Sequence, residues 1–440
     1  NTIQPSPSST RACIRSVCRV SVCTVAMDPS PVGGNVVVIY TVARAFGQTG
    51  GVMDFSLTQE QDLIRDAVAK VCEGYPDEYW AQKDADHEFP WDFYNAMSEA
   101  GWIGIAIPEA YGGSGRGITE ASIVLEEVAA SGAAMNGATP LHLSMFGMEP
   151  VVKYGSEEMK QKYLPPVARG ELHVAFGVTE PDAGTDTTSI KTAARREGDH
   201  YIVRGRKVWT TKALQSERVL LLTRTTPRDE VERRTDGMTL LLAELQRDEV
   251  TISPIDKVGR NAVATCEVVY DDLPVSITDR IGEEGKGFQY LISGLNAERI
   301  LIAAEALGIG KAALKRAVGY ANERVVFGRP IGKNQGVSFP LAEAKMRLDA
   351  AELMIRKAAW MLDNGIPCGA EANMAKWLAA DAGFQAADQA MQAHGGFGYA
   401  KEYHVERYWR EARLMRIAPI SQEMICNFVS EHVLDLPRSY

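Results

Sequence analysis

The chain has 440 residues, of which 45% are hydrophobic and 24% charged; this is ordinary globular composition, and the length allows two or three domains. A formal net charge of -10 argues against a nucleic-acid-binding surface, and no uninterrupted apolar run reaches the roughly 18 residues of a bilayer span, so no integral membrane segment is expected. The seven cysteines form no C-x-x-C pair and are scattered singly beyond Met53, which speaks against a disulfide framework or a zinc site and for a reducing compartment.

Residues 1–52 stand apart. They hold Arg11, Arg15, Arg19 and Arg44, six serines and the single acid Asp28. That is the composition of a mitochondrial transit peptide, which would direct the protein to the mitochondrial matrix. Met53 offers the other reading, a start at "MDFSLTQEQ" preceded by a spurious extension, and with it a cytoplasmic protein; this is the reading adopted. From Thr58 the chain reads as an N-terminal helical domain over 53–172. Thr58 and Gln61 form a T-x-x-Q capping box, and Leu63, Ile64, Ala67, Val68 and Val71 follow at helical spacing. Further helices are expected near 91–100, over 119–131 with Gly132 as the stop, and from Ser156. The glycine-rich "YGGSGRG" at 111–117 follows no strand and is therefore no dinucleotide fingerprint.

Over 173–280 the pattern changes to short β-branched runs: "HVAFGVT", "HYIVRGRKVW", "RVLLLTRT", "MTLLLAEL" and "TCEVVYDDLPV". No long helical pattern interrupts them, so an antiparallel sheet or barrel is expected, not alternating βαβ units. From 281 to 440 the pattern is helical again, with long segments near 286–323, 338–364, 367–393 and 403–413 and a last one from about 421, as in a helix bundle.

Two segments carry a resemblance. One is Gly177-Val178-Thr179-Glu180-Pro181-Asp182-Ala183-Gly184-Thr185-Asp186 with "KVWTTKA" at 207–213; the other is Gln392-Ala393-His394-Gly395-Gly396-Phe397-Gly398-Tyr399 with "KEYHVERYWREARL" after it. Both resemble signature stretches of the acyl-CoA dehydrogenases, in the same order and at a similar distance, and "ERVVFGRPIGKNQG" at 323–336 resembles a third. The resemblance implies an α+β fold with an N-terminal helical domain, a middle antiparallel β domain and a C-terminal four-helix bundle. It implies FAD as cofactor, an acyl-CoA substrate, a homotetramer and an electron-transfer flavoprotein as partner. Carried onto matching positions, Phe176, Val178, Thr179, Trp209 and Thr211 would surround the flavin ring. Gly184 and Thr185 would lie near the pyrophosphate or the thioester end of the substrate. Arg324, Phe327, Gln335, Gln392, Gly395 and Gly396 would reach the adenosine and pyrophosphate, partly across a subunit interface, with Ser421 and Glu423 as further cofactor contacts. The residue types agree: hydroxyls and unhindered backbone N–H groups suit flavin edges and phosphates, an aromatic can pack on a flavin face, and Arg pairs with phosphate.

Dehydrogenation of a thioester needs a carboxylate that takes the α-proton while hydride leaves the β-carbon for flavin N5. Many family members carry this Glu after the second signature, where this chain has Pro419. A minority, including isovaleryl-CoA and long-chain enzymes, carries it as Leu-x-x-Glu-Arg, and here Leu295-Asn296-Ala297-Glu298-Arg299 matches. Leu291, Leu295, Glu298 and Ile302 share one helical face, and a carboxylate on an apolar stripe has its proton affinity raised by desolvation. Glu298 is therefore the expected base, with Arg299 and Thr185 as substrate contacts; the bland reading is a Glu salt-bridged to Arg at the stripe's edge. In the family the backbone N–H at the Pro419 position helps hold the thioester oxygen. Proline has none, and one lost oxyanion donor costs about 3–4 kcal/mol of barrier, unless Ile420 N–H substitutes. The alternative is thus a family offshoot with altered chemistry, a nitroalkane-type flavin oxidase or a CoA-thioester desulfinase; a catalytically silent FAD- or acyl-CoA-binding tetramer is a third reading. No metal site is expected, since His87-Glu88 and His404-Val405-Glu406 lack further ligands at metal spacing.

Overall fold

The computed structural model describes residues 55–439, so the composition-based reading of residues 1–52 lies outside the described residues. The first helices are α1 Gln59–Cys72, α2 Asp77–Asp86, α3 Trp91–Glu99, α4 Ile118–Val128, α5 Ala134–Phe146, α6 Glu149–Tyr154 and α7 Glu157–Ala168. The capping box on α1 forms as expected: Gln61 N donates to Thr58 Oγ1 and Thr58 N to Gln61 Oε1. Ser156 caps α7 through Met159 N. The expected stop at Gly132 is a kink, with φ of 109° at that residue, after which the chain re-enters a helix. That next helix, α5, was not anticipated. It is buried on every side, so it shows no amphipathic period, and Gly137 and Pro140 read as breakers in sequence. The short α2 and α6 were missed as well.

The strands are β1 Val174–Gly177, β2 Ala193–Glu197, β3 His200–Thr211, β4 Arg218–Arg224, β5 Met238–Glu244, β6 Val250–Pro254, β7 Thr265–Ser276 and β8 Arg280–Ile281, in one sheet of order β6-β7-β3-β2-β4-β5-β8 with β1 beside β4. Most pairings are antiparallel, but β1 and the start of β2 run parallel to β4. The apolar run in β4 has a simple origin. Leu220 and Leu222 point into a core shared with Val151, Leu164 and Val167 of α6 and α7, whereas Val219 and Leu221 point into a second core with Tyr201, Val203 and Val268. A strand buried on both faces loses the apolar–polar alternation.

The last part holds α8 Gly287–Glu323, a hairpin of β9 Val325–Val326 and β10 Arg329–Pro330, then α9 Gln335–Asp363, α10 Gly369–His394, α11 Val405–Met415 and α12 Gln422–His432. α8 packs on α4, α5, α6, α9, α10 and α11 and on strand β5. Its first residue, Gly287, lies so close to the β5 backbone that a Cβ there would sit 2.4 Å from Leu240 N. Further along, α8 and α10 meet at Gly310 and Gly383, where a Cβ on Gly383 would fall 2.3 Å from the Ala306 carbonyl oxygen. Small residues on both helices thus set the axis spacing that holds α8 at the centre of the bundle.

Candidate active site

The first signature forms the turn after β1. Its anchor is Glu180, whose carboxylate accepts from Lys191 N at 2.7 Å, Thr192 N at 2.9 Å and Lys207 Nζ at 2.8 Å. Lys207, in β3 and wholly buried, also donates to Val178 O at 3.0 Å. Burial alone would raise the Glu180 proton affinity, but Lys207 and the hydrogen bonds outweigh it and hold the carboxyl below the ordinary range. The turn is therefore braced from inside, while Gly184 and Thr185 stand exposed at its tip.

Beside it, the β3–β7 ladder slips register between Lys207 and Thr210. Trp209 sits in that slip with φ of 62° and its side chain is 56% exposed. An indole displayed this way offers a flat apolar face beside the turn. Phe176, Val178 and Thr179 are half-buried nearby on β1 and the turn, and Val208 N donates to Thr179 O at 2.9 Å. Thr211 is buried, and its hydroxyl is already engaged by Arg260 Nη2 at 3.0 Å.

The second signature lies elsewhere. Arg324, Gln392, Gly395 and Gly396 line one cavity of about 650 Å³ together with Tyr320 and Phe397. The Arg324 guanidinium stacks 5.5 Å from the centre of the Phe397 ring. A Cβ added at Gly395 or Gly396 would meet nothing within 4 Å, so bare backbone faces open space beside a cation. Such a cradle suits a phosphate-bearing ligand. Phe327 and Gln335 do not line that cavity: Phe327 is fully exposed at the hairpin tip and Gln335 is exposed at the start of α9.

The third group surrounds Glu298, midway along α8 and 8% exposed. Burial, above all, pushes its proton affinity up to about 7, against the pull of His142, Arg299 and Lys376. Arg299 donates instead to Asn296 Oδ1 at 3.0 Å, and among the described residues it makes no ion pair with Glu298. On α10, the wholly buried Lys376 lies in the field of Glu298, Arg299 and Glu423 and donates to Ile420 O at 2.6 Å. It thereby ties down the loop that holds Pro419, whose peptide with Ala418 is cis. Ser421 caps α12 through Met424 N, and Glu423 is exposed in its first turn. A smaller cavity of about 240 Å³ opens beside Ala297, lined by Met145, Phe146, Glu149, Arg116 and Lys153 among others. Sequence reasoning passed over His142, Arg260, Glu305 and Lys376. The one available signal was Lys376 standing among alanines at the buried positions 372, 375, 379 and 380.

Comparison with known proteins agrees over nearly all of the described chain. Residues 58–171 match the family model "Acyl-CoA dehydrogenase, N-terminal domain", 175–273 the middle domain and 285–434 the C-terminal domain. The chain is 38% identical over 394 residues to the acyl-CoA dehydrogenase FadE12 of Mycobacterium tuberculosis, covering 88% of this chain and 99% of that protein. It is 34% identical over 382 residues to the 3-(aryl)acrylate reductase of Clostridium sporogenes, covering 86% and 99%. Among solved structures, butyryl-CoA dehydrogenase from Megasphaera elsdenii superposes with a TM-score of 0.82 at 31% identity over 87% of this chain and 100% of that one. The glutaryl-CoA dehydrogenase complex with glutaryl-CoA gives 0.84 at 30% identity over 88% and 98%. With its helical, sheet and helical regions in the family's order, the chain belongs to the acyl-CoA dehydrogenases, flavin-dependent oxidoreductases of CH–CH bonds.

Proposed function

We propose that this enzyme desaturates an acyl-CoA thioester between its α and β carbons with Glu298 as the base. The observation that carries the reading is the Glu298 carboxylate itself: buried, not paired with Arg299 and with a proton affinity near neutrality. A base matched to the working pH takes a proton most effectively. FAD, when bound, supplies the hydride acceptor. The residues present fit it: Trp209, Phe176, Val178, Thr179 and Thr211 as the ring surface, Gly184 and Thr185 at the turn, Ser421 and Glu423 at the α12 start, and the Arg324–Gln392–Gly395–Gly396 cavity as the phosphate cradle. Arg299 and Thr185 serve the substrate side, Arg299 as a neighbouring positive charge that favours the ionised base.

An assembly is supported by exposed apolar side chains in one row of α9. Phe339, Met346, Leu353 and Trp360 recur every seventh residue and are 61%, 65%, 51% and 57% exposed. With the exposed Phe327 at the hairpin tip, this row fits burial in a homotetramer whose neighbour completes each cofactor site. The family resemblance supplies the electron acceptor, an electron-transfer flavoprotein. Among the described residues no helix is long and apolar enough to cross a membrane, and we assign the enzyme to the cytoplasm.

Pro419 favours a second reading, in which an altered oxyanion site serves an oxidase or desulfinase reaction. Ile420 offers the next N–H, on a loop that Lys376 holds. The test is flavin absorbance followed anaerobically against a panel of acyl-CoAs, with Glu298→Gln alongside. Bleaching by one class of substrate, lost in the variant while FAD stays bound, is the expected result. A variant that bleaches at the parental rate refutes the base, and bleaching by no acyl-CoA brings the second reading forward.

A further inference from the structure

Between Gln392 and Gly395, two residues of the phosphate cradle, stands a side chain with no role so far. His394 is the last residue of α10 and 5% exposed, and its Nδ1 lies 2.7 Å from the carbonyl oxygen of Ala390, one turn back on the same helix. A carbonyl only accepts, so Nδ1 carries the proton and donates. Burial, above all, holds the imidazole below the ordinary histidine range, so the neutral ring prevails above pH 7. A neutral imidazole protonated at Nδ1 has its lone pair on Nε2. That atom makes no hydrogen bond among the described residues, yet it keeps accessible surface, and the ring forms part of the cavity wall. An oriented acceptor without a donor is thus turned to the cavity.

The same cavity joins two kinds of surface. One is the Arg324 guanidinium with the bare backbone of Gly395 and Gly396; the other is flat and apolar. Tyr320 stacks on His394 with ring centres 4.3 Å apart and planes inclined by 21°, and Phe397 and Ile331 line the cavity with them. A cation beside bare backbone suits a phosphate, and stacked rings suit a planar heterocycle, so the combination suits a nucleotide better than a simple anion. We propose that His394 reads the base of that nucleotide, its Nε2 accepting a hydrogen bond from the exocyclic amine of the FAD adenine. Tyr320 supports the ring from behind. This rests on the reading of the cavity as the FAD cradle. Adenine brings an N–H to the waiting lone pair. A 6-oxo purine in the same seat would turn a carbonyl oxygen toward it, lone pair against lone pair, and leave the acceptor unpaired.

The experiment removes flavin from the full chain and titrates the apoprotein by flavin fluorescence. The ligands are FAD, FMN and the dinucleotide in which hypoxanthine replaces adenine; the proteins are the parent, His394→Phe and Tyr320→Leu. We expect the parent to bind FAD about tenfold more tightly than the hypoxanthine dinucleotide, the effect of one neutral hydrogen bond. His394→Phe keeps a ring against Tyr320 but has no acceptor, so it should bind the two dinucleotides equally, with FMN affinity as in the parent. Tyr320→Leu should weaken both dinucleotides alike and keep the preference. A parent without the preference, or a His394→Phe variant that retains it, overturns the proposal, while FAD bound more tightly than FMN leaves the cradle standing. FAD bound no more tightly than FMN overturns both. If His394→Phe does not fold, the parent's own preference decides.

Discussion

A buried carboxylate should weaken the fold that carries it, and Glu298, the proposed base, allows the cost to be measured. Its proton affinity is raised from the ordinary 4.5 to about 7, chiefly by burial. Each tenfold change in that equilibrium corresponds to about 1.4 kcal/mol, so the ionised side chain costs the folded state roughly 3 kcal/mol relative to the protonated one. For a group whose affinity is raised on folding, this stability is present in full below pH 4.5 and is lost as pH rises through about 7. Glu298→Gln removes the titration and keeps the volume. The variant should match the parent near pH 5 and exceed it above pH 8 by a thermal midpoint difference of a few degrees, since about 1 kcal/mol shifts a large domain by roughly 2 °C. The assay is thermal unfolding of both FAD-loaded proteins across that pH range. A midpoint difference that does not change with pH, or a variant less stable than the parent at high pH, would refute the reasoning that burial sets the base.

Other consequences can be checked in the same way. Lys207→Met leaves Glu180 charged and buried without its cation, which should cost about 3–5 kcal/mol in chemical denaturation and loosen the turn enough to reduce flavin retention. Gly383→Val forces a side chain against the Ala306 carbonyl, and overpacking of that kind should cost about 1–3 kcal/mol. Gly396→Leu should leave the thermal midpoint of the flavin-free protein unchanged, because its Cβ meets nothing within 4 Å, while the purified enzyme loses its yellow colour. Met346→Asp on the exposed row of α9 should shift the sedimentation coefficient toward smaller species; an unchanged coefficient would remove α9 from the proposed interface.

Much of this architecture was legible where local chemistry is strong. Thr58 and Gln61 announced α1, Ser156 announced α7, and the long helical periods fixed the bundle. Helix α5 was not legible, because a segment buried all round carries no period, and neither were the parallel pairings of β1 and β2 with β4, which depend on contacts distant in sequence. The site divides along the same line. That Glu298 is buried was readable from the apolar stripe around the five-residue Leu-x-x-Glu-Arg pattern. Lys376, His142 and Glu305 were not, because a charged residue on a helix looks the same in sequence whether it faces water or a neighbouring carboxylate.

The close seating of α8 gives Glu298 an unusual dependence on chain length. Gly287 locks the start of the helix onto β5, and Gly310 locks it again onto α10, with Glu298, the proposed base, between them. Inserting or deleting a single residue between these two points would swing the carboxylate by about 100° around the helix axis, off the face it shares with Leu291 and Glu305. Substitutions along this stretch can be absorbed one by one, but a change in length cannot, so the distance from Gly287 to Glu298 acts as a fixed ruler for the chemistry.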